Sequence, residues 1–149
     1  MFSFIKSDDV KVWNNFLEKE KASQMVTIAH NPCLGGILSK TFGYTAQNFL
    51  IKKEDEIVGV LPTVTIGSKI VSMPHFSYGG PILKESYLDS FNMALFFKDA
   101  KYEVRSFHKL SEHYTEEKIS CILELKPTED EMIMTVQNKL RQKIRKAAR

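Results

Sequence analysis

A chain of 149 residues with 43% hydrophobic and 26% charged side chains has the composition of a globular domain long enough to bury a core. No apolar run reaches the length of a membrane-crossing helix, and the opening Met1-Phe2-Ser3-Phe4-Ile5-Lys6, followed at once by Asp8-Asp9, is too short for a signal peptide; a cytoplasmic location is expected. The formal charge of +3 is unevenly spread: six cations and no acid lie between positions 139 and 149, and without them the rest of the chain falls to −3.

Ser7 is placed to cap a first helix whose opening turn holds Asp8 and Asp9, with Val12, Trp13, Phe16 and Leu17 as its apolar stripe. Asn31-Pro32 predicts the start of a second helix and Gly43 its end. Three strands follow over 48–52, 57–66 and 69–73, joined by turns at Glu54-Asp55 and Gly67-Ser68, a pattern that predicts an antiparallel meander. Within the middle strand Val58, Val60, Val64 and Ile66 share one face, and Ile57 and Leu61 take the other. Both faces are apolar, so this strand should lie inside the sheet, covered on two sides. Pro62 cannot donate to a ladder and predicts a bulge at Leu61-Pro62.

Further along, Ser86 with Asp89 has the spacing of a capping box for a helix carrying Leu88, Phe91, Leu95 and Phe96. Strands are expected over 102–107 and 119–125, with a polar loop over 109–118 between them. Thr128 with Glu131 opens a long helix through Ile133, Val136, Leu140, Ile144 and Ala147, which meets no glycine or proline stop before the sequence ends. The expected class is therefore α+β: a central, mostly antiparallel twisted sheet with helices on both faces. Cys33 and Cys121 stand in no metal-ligand spacing and are expected to be reduced and buried.

The segment 73–81, Met-Pro-His-Phe-Ser-Tyr-Gly-Gly-Pro, concentrates conformational restriction more than any other. Proline fixes φ, glycine admits positive φ and close approach, and His75 and Tyr78 are presented beside them. Two readings compete: a rigid connector, or a shaped binding loop at the end of a strand. His75 would be a general acid or base with a substrate proton in reach, or a residue that pins the loop by a hydrogen bond. Tyr78 would anchor the loop or touch a ligand. Gly79 and Gly80 would act through backbone alone, as a turn or as N–H groups facing an anion.

Ile57-Val58-Gly59-Val60-Leu61-Pro62, Met73-Pro74 leading to Tyr78-Gly79-Gly80-Pro81, Tyr102-Glu103-Val104-Arg105-Ser106, and the basic run 140–147 together resemble the FemAB-like branch of the GNAT acyltransferase superfamily. The resemblance spans roughly 12–149. It implies a GNAT-like domain over 1–127 and a basic amphipathic helix over 128–149 leading toward a second GNAT-like half. Family members transfer amino acids from aminoacyl-tRNA to peptidoglycan precursors, and others serve exopolysaccharide systems. The resemblance thus implies a phosphate-bearing cell-wall precursor or tRNA as partner, with His75, Tyr78, Gly79, Gly80, Arg141, Lys143, Arg145 and Lys146 as substrate-binding residues. One departure stands out: where the family usually has a tryptophan shortly after the proline near position 32, this chain has Cys33-Leu34.

The chain contains no Walker phosphate loop, no Gly-x-Gly-x-x-Gly and no CoA-cradling Gln/Arg-x-x-Gly-x-Gly/Ala. No cofactor is expected on this segment; the acyl donor of the whole protein would be aminoacyl-tRNA or acyl-CoA, and the segment alone should be inactive. His108 and His113 read as exposed loop residues. The basic helix has three readings: a phosphate-binding surface, a nucleic-acid-binding helix, or a docking face for the second half. Without that half, its stripe would support a homodimer. The alternative function is a non-enzymatic module that binds nucleic acid or another anionic partner through this helix.

Overall fold

The computed structural model describes residues 1–97, 100–110, 116 and 124–147. The chain forms two compact units, Met1–Tyr114 and Thr115–Arg149.

In the first unit, β1 (Phe2–Lys6) is followed by α1 (Val10–Glu20), α2 (Leu34–Phe42), β2 (Thr45–Lys53), β3 (Glu56–Ile66), β4 (Lys69–Val71), β5 (Ile82–Leu83) and β6 (Lys101–Glu103). The sheet order is β1-β2-β3-β4-β6, with β5 also paired to β3. All pairs are antiparallel except β4 with β6, which run parallel. The fold is α+β with a mixed, largely antiparallel sheet. β1 has no counterpart among the strands expected from the sequence.

The meander forms where turn chemistry allows it. Glu54 and Gly67 both take left-handed φ at the hairpin tips, +57° and +58°. β3 is interior, and residues 58–64 along it are buried. The expected bulge at Leu61-Pro62 is absent: β2 and β3 pair without interruption through Asn48 opposite Pro62. The carbonyl of Asn48 accepts from Ser7 N–H on the β1 side, so Asn48 faces away from β3 and its opposite residue faces away from β2. The proline nitrogen therefore points to the other edge of β3. There β5 pairs with Gly59 and Val60, β4 pairs with Val64 to Ile66, and neither reaches Pro62. A missing donor is harmless in that gap.

The irregularity lies four residues earlier instead. Gly59 pairs with Ile51 and Ile57 with Lys52, leaving Val58 as the extra residue. The bulge reverses the alternation, so Val58 joins the core of Ile51 and Leu61, while Ile57 packs with Val60. This corrects the expected sharing of one face by Val58 and Val60. Gly59 is required here because a Cβ would stand 2.6 Å from Leu83 Cδ2 and 2.8 Å from the Ile82 carbonyl.

One face of the sheet is covered by α1 and α2. Trp13, Phe16 and Leu17 of α1 pack on Leu50, Val60 and Ile82, and Leu38 of α2 packs with Ala29, Val64 and Met73. Each large side chain so buried contributes about 1.5–3 kcal/mol. Asp9, not Ser7, caps α1: its carboxylate accepts from Lys11 and Val12 N–H, each at 3.0 Å. α2 ends at Gly43 in the left-handed region, as its sequence requires, but starts at Leu34, with Asn31 Oδ1 accepting from Cys33 N–H. Cys33 is exposed, contrary to the expectation of burial.

Among the described residues of this unit no α-helix forms near 86–96, which corrects the helix expected there. Two 3-10 turns, Glu85–Tyr87 and Met93–Leu95, stand there. Asn92 accepts from Ala94 N–H and starts the second turn, the kind of local bond that competes with helix continuation. The intervening chain is free to lay aromatic rings on the sheet. Phe91 meets Phe2 edge-on at 5.3 Å, and Phe96 stacks on Phe4 at 3.6 Å.

β6 is shorter than the expected strand over 102–107. Residues 119–123 of the next expected strand, and His113 and Cys121, lie outside the described residues, as does most of the expected loop over 109–118.

In the second unit, the single helix expected from Thr128 onward is two: α3 (Glu129–Thr135) and α4 (Asn138–Ala147). Thr128 caps α3 by accepting from Glu131 N–H at 3.3 Å. The break comes at Val136, which is extended at φ −86° and ψ 145°. Two β-branched residues meet here, and the Thr135 hydroxyl donates back to the Met132 carbonyl at 2.7 Å. Both effects weaken a helix locally.

Candidate functional site

β4 and β6 run parallel, so their carboxyl ends point the same way, and the segments leaving them lie side by side. From β4 comes the loop 72–81; from β6 comes Val104 to His108. Ser72 N–H donates to the Glu103 carbonyl at 2.9 Å, and Arg105 N–H donates to Ser72 Oγ at 3.0 Å. The two segments thus remain joined past the last strand residues.

The loop backbone is held from two sides. On one, the Arg105 carbonyl accepts from Gly79 N–H at 3.2 Å and Gly80 N–H at 2.8 Å, and Arg105 Nη1 donates to the Phe76 carbonyl at 3.2 Å. On the other, Thr27 Oγ1 donates to the Tyr78 carbonyl at 3.2 Å, and His30 Nε2 lies 3.0 Å from the Gly80 carbonyl. The paired glycines are needed for these approaches: a Cβ on Gly79 would come to 2.6 Å from Met73 Cβ, and one on Gly80 to 2.8 Å from the Arg105 carbonyl. Gly79 and Gly80 act here through close backbone packing, which is neither of the two roles considered from the sequence. Their N–H groups are occupied by Arg105 and do not face an anion.

His30, which has no signature in the sequence, is the peg that fixes the loop. Its side chain is 2% exposed. Thr27 N–H donates to Nδ1 at 3.0 Å, so Nδ1 is the unprotonated nitrogen and Nε2 carries the proton given to Gly80. Burial holds its pKa below the ordinary histidine value, against the opposing pull of the bonds to Gly80 and Thr27. Its carbonyl also accepts from Trp13 Nε1 at 2.8 Å, tying the turn to α1.

His75 is exposed and sits at φ +72°, beside Met73 at φ +45°; both are side-chain-bearing residues in the left-handed region. The His75 ring stacks on Phe42 at 4.8 Å, with Tyr44 parallel to it at 6.3 Å. This stacking holds His75 in place of the expected loop-pinning hydrogen bond. Tyr78 stacks on Phe107 at 3.6 Å. Next to that stack a depression of about 10 Å³ is bounded by Gln24, His30, Tyr78, Arg105, Phe107 and His108. It has room for about one water, so a larger ligand must lie across its mouth. His108 is exposed, as expected, and its Nε2 donates to Oε1 of buried Gln24 at 3.0 Å.

Charge at this end of the sheet is concentrated on Glu103. Lys69 Nζ lies 2.6 Å from one carboxylate oxygen and Arg105 Nη2 2.6 Å from the other. Lys69 first, then Arg105, holds the Glu103 carboxyl below the usual carboxylate range. In the sequence Arg105 reads only as part of a strand; its role in holding the loop depends on pairing that is not local.

His75, Tyr78, Gly79 and Gly80 are therefore gathered in one rigid loop. Arg141, Lys143, Arg145 and Lys146 lie on α4 of the second unit. Arg141 donates to Met134 Sδ at 3.2 Å and to Asn138 Oδ1; Lys143, Arg145 and Lys146 are exposed. No group of three or more potential metal ligands occurs among the described residues, and no described helix is long and apolar enough to cross a membrane. Neither protein-family models nor curated proteins nor solved structures give a match to this chain.

Proposed function

We propose that this chain is the amino-terminal, GNAT-like half of a FemAB-like acyltransferase acting on a phosphate-bearing cell-wall or exopolysaccharide precursor. The observation that carries the reading is the parallel pair β4–β6, whose carboxyl ends deliver the loop 72–81 and the segment 104–108 to one place. In open α/β sheets of parallel strands ligands lie outside the carboxyl ends, and the reading extends that rule to the single parallel pair of this largely antiparallel sheet. The motifs that resemble the family, around Tyr78-Gly79-Gly80 and Tyr102 to Ser106, are the residues that meet there. The pinned backbone of the loop suits a site that must hold a substrate in fixed orientation. Arg105, 43% exposed and paired with Glu103, stands in its wall. The donor would be aminoacyl-tRNA or acyl-CoA.

The test is transfer by the protein expressed from its complete coding sequence. Labelled aminoacyl-tRNA or acyl-CoA would be supplied with nucleotide-linked and lipid-linked precursors. Label should pass to a precursor, and Arg105→Ala should reduce the rate while the protein stays folded. No transfer with any donor and acceptor pair refutes the reading. Binding of tRNA without transfer would favour a non-enzymatic anion-binding module, for which the exposed cations of α4 speak.

A further inference from the structure

α4 presents two surfaces at once. Leu140 is 49% exposed and Ile144 40% exposed, and with Ala147 their spacing places them on one stripe. Arg141 and Lys143 flank that stripe, and Lys139, Arg145 and Lys146 lie farther round the helix. α4 contains no acid; the acids Glu129, Asp130 and Glu131 are gathered in the first turn of α3. A helix with cations on both sides of an exposed apolar stripe has few suitable partners. Nucleic acid would neutralise the cations and leave Leu140 and Ile144 in water. A second copy of the helix would bury the stripe but bring like charges together. An anionic bilayer surface satisfies both, with the stripe at the boundary of headgroups and acyl chains and the long cationic side chains reaching lipid phosphates.

We infer that α4 is an interfacial helix that docks this protein on an anionic lipid surface. This docking does not require the acyl-transfer reading, and it stands against the use of the same stripe as a docking face for a second half. Two apolar side chains alone bind weakly, so zwitterionic lipid should retain little protein. Each cation near a negatively charged surface should strengthen binding about fivefold.

The experiment is flotation of the full chain with phosphatidylcholine vesicles, with or without about one third phosphatidylglycerol. The protein should float only with the anionic vesicles. Lys143→Gln and Lys146→Gln should each weaken binding about fivefold. Leu140→Ser with Ile144→Ser should abolish flotation while leaving any binding to tRNA unchanged. A separate readout guards against loss of the helix in that double variant. Ile144→Trp should shift its emission to the blue with anionic vesicles alone, against the constant background of Trp13, which is 1% exposed. Three results overturn the inference: no flotation of the unmodified protein on anionic vesicles, flotation insensitive to the double serine variant, or no emission shift. Self-association that the double serine variant abolishes, together with absent vesicle binding, would assign the stripe to a second copy instead.

Discussion

Replacing His30 by leucine tests how the candidate loop is held. The substitution roughly keeps volume, so the loss should come from hydrogen bonding. Thr27 N–H loses its acceptor at 3.0 Å, and the Gly80 carbonyl loses its donor at 3.0 Å. A buried backbone group left without a partner costs about 1–3 kcal/mol, and because the Thr27 N–H is only part-buried the two together should cost about 2–5 kcal/mol. For a chain of this size that lowers Tm by roughly 5–15 °C. Urea unfolding followed by Trp13 fluorescence measures it directly, because the chain has one tryptophan and its indole donates to the His30 carbonyl. The same residue predicts a pH dependence. Above the ordinary histidine pKa of about 6.5 the ring is neutral in both states. Below it the unfolded chain takes up the proton first, because burial depresses the folded-state pKa. Stability should therefore fall as pH drops from about 6.5, by at most about 1.4 kcal/mol per unit, until the folded-state pKa is passed. His30→Leu should remove this slope. Glu103, whose pKa is lowered, titrates in a more acidic window and leaves this one undisturbed. A variant within about 0.5 kcal/mol of the parent, or one that keeps the slope, refutes the account of the peg.

Gly80→Ala should destabilise by about 1–3 kcal/mol, since its Cβ would meet the Arg105 carbonyl at 2.8 Å and Ser106 Cβ at 2.9 Å; a denaturation midpoint equal to the parent's would contradict this. Asp9→Ala should cost about 0.5–2 kcal/mol through the lost cap of α1, whereas Ser7→Ala should cost less, and paired thermal melts decide between the two caps. Pro62→Ala should destabilise by about 1–3 kcal/mol, because it places a new N–H in a buried gap where neither β4 nor β5 offers an acceptor; a variant as stable as the parent would contradict this.

What the sequence makes legible is what local chemistry decides. Gly43 stops α2 and Gly67 turns the β3–β4 hairpin because each needs positive φ. β3 is interior because both its faces are apolar. What remains hidden depends on distant partners. His30 looks ordinary until Gly80, 50 positions away, supplies its second bond. The bulge at Val58 has only Gly59 as its sign in the apolar run, whereas Pro62 announces a defect that the split between β4 and β5 removes. Leu88, Phe91 and Phe96 keep helical spacing, yet Phe91 and Phe96 gain more by meeting Phe2 and Phe4 across the sheet. The loop 73–81 stands out in sequence, but the use of its glycine N–H groups could be learned only from the position of Arg105.

The central claim is that the carboxyl ends of β4 and β6 form a ligand site. Amide chemical-shift mapping of the isotope-labelled protein, titrated with a nucleotide-linked cell-wall precursor and separately with tRNA, tests it most directly. The account predicts saturable shifts concentrated at Ser72 to Gly80 and Val104 to His108, weakened by added salt as a phosphate contact requires. Shifts confined to other elements, or none at concentrations where the ligand is in large excess, would contradict it.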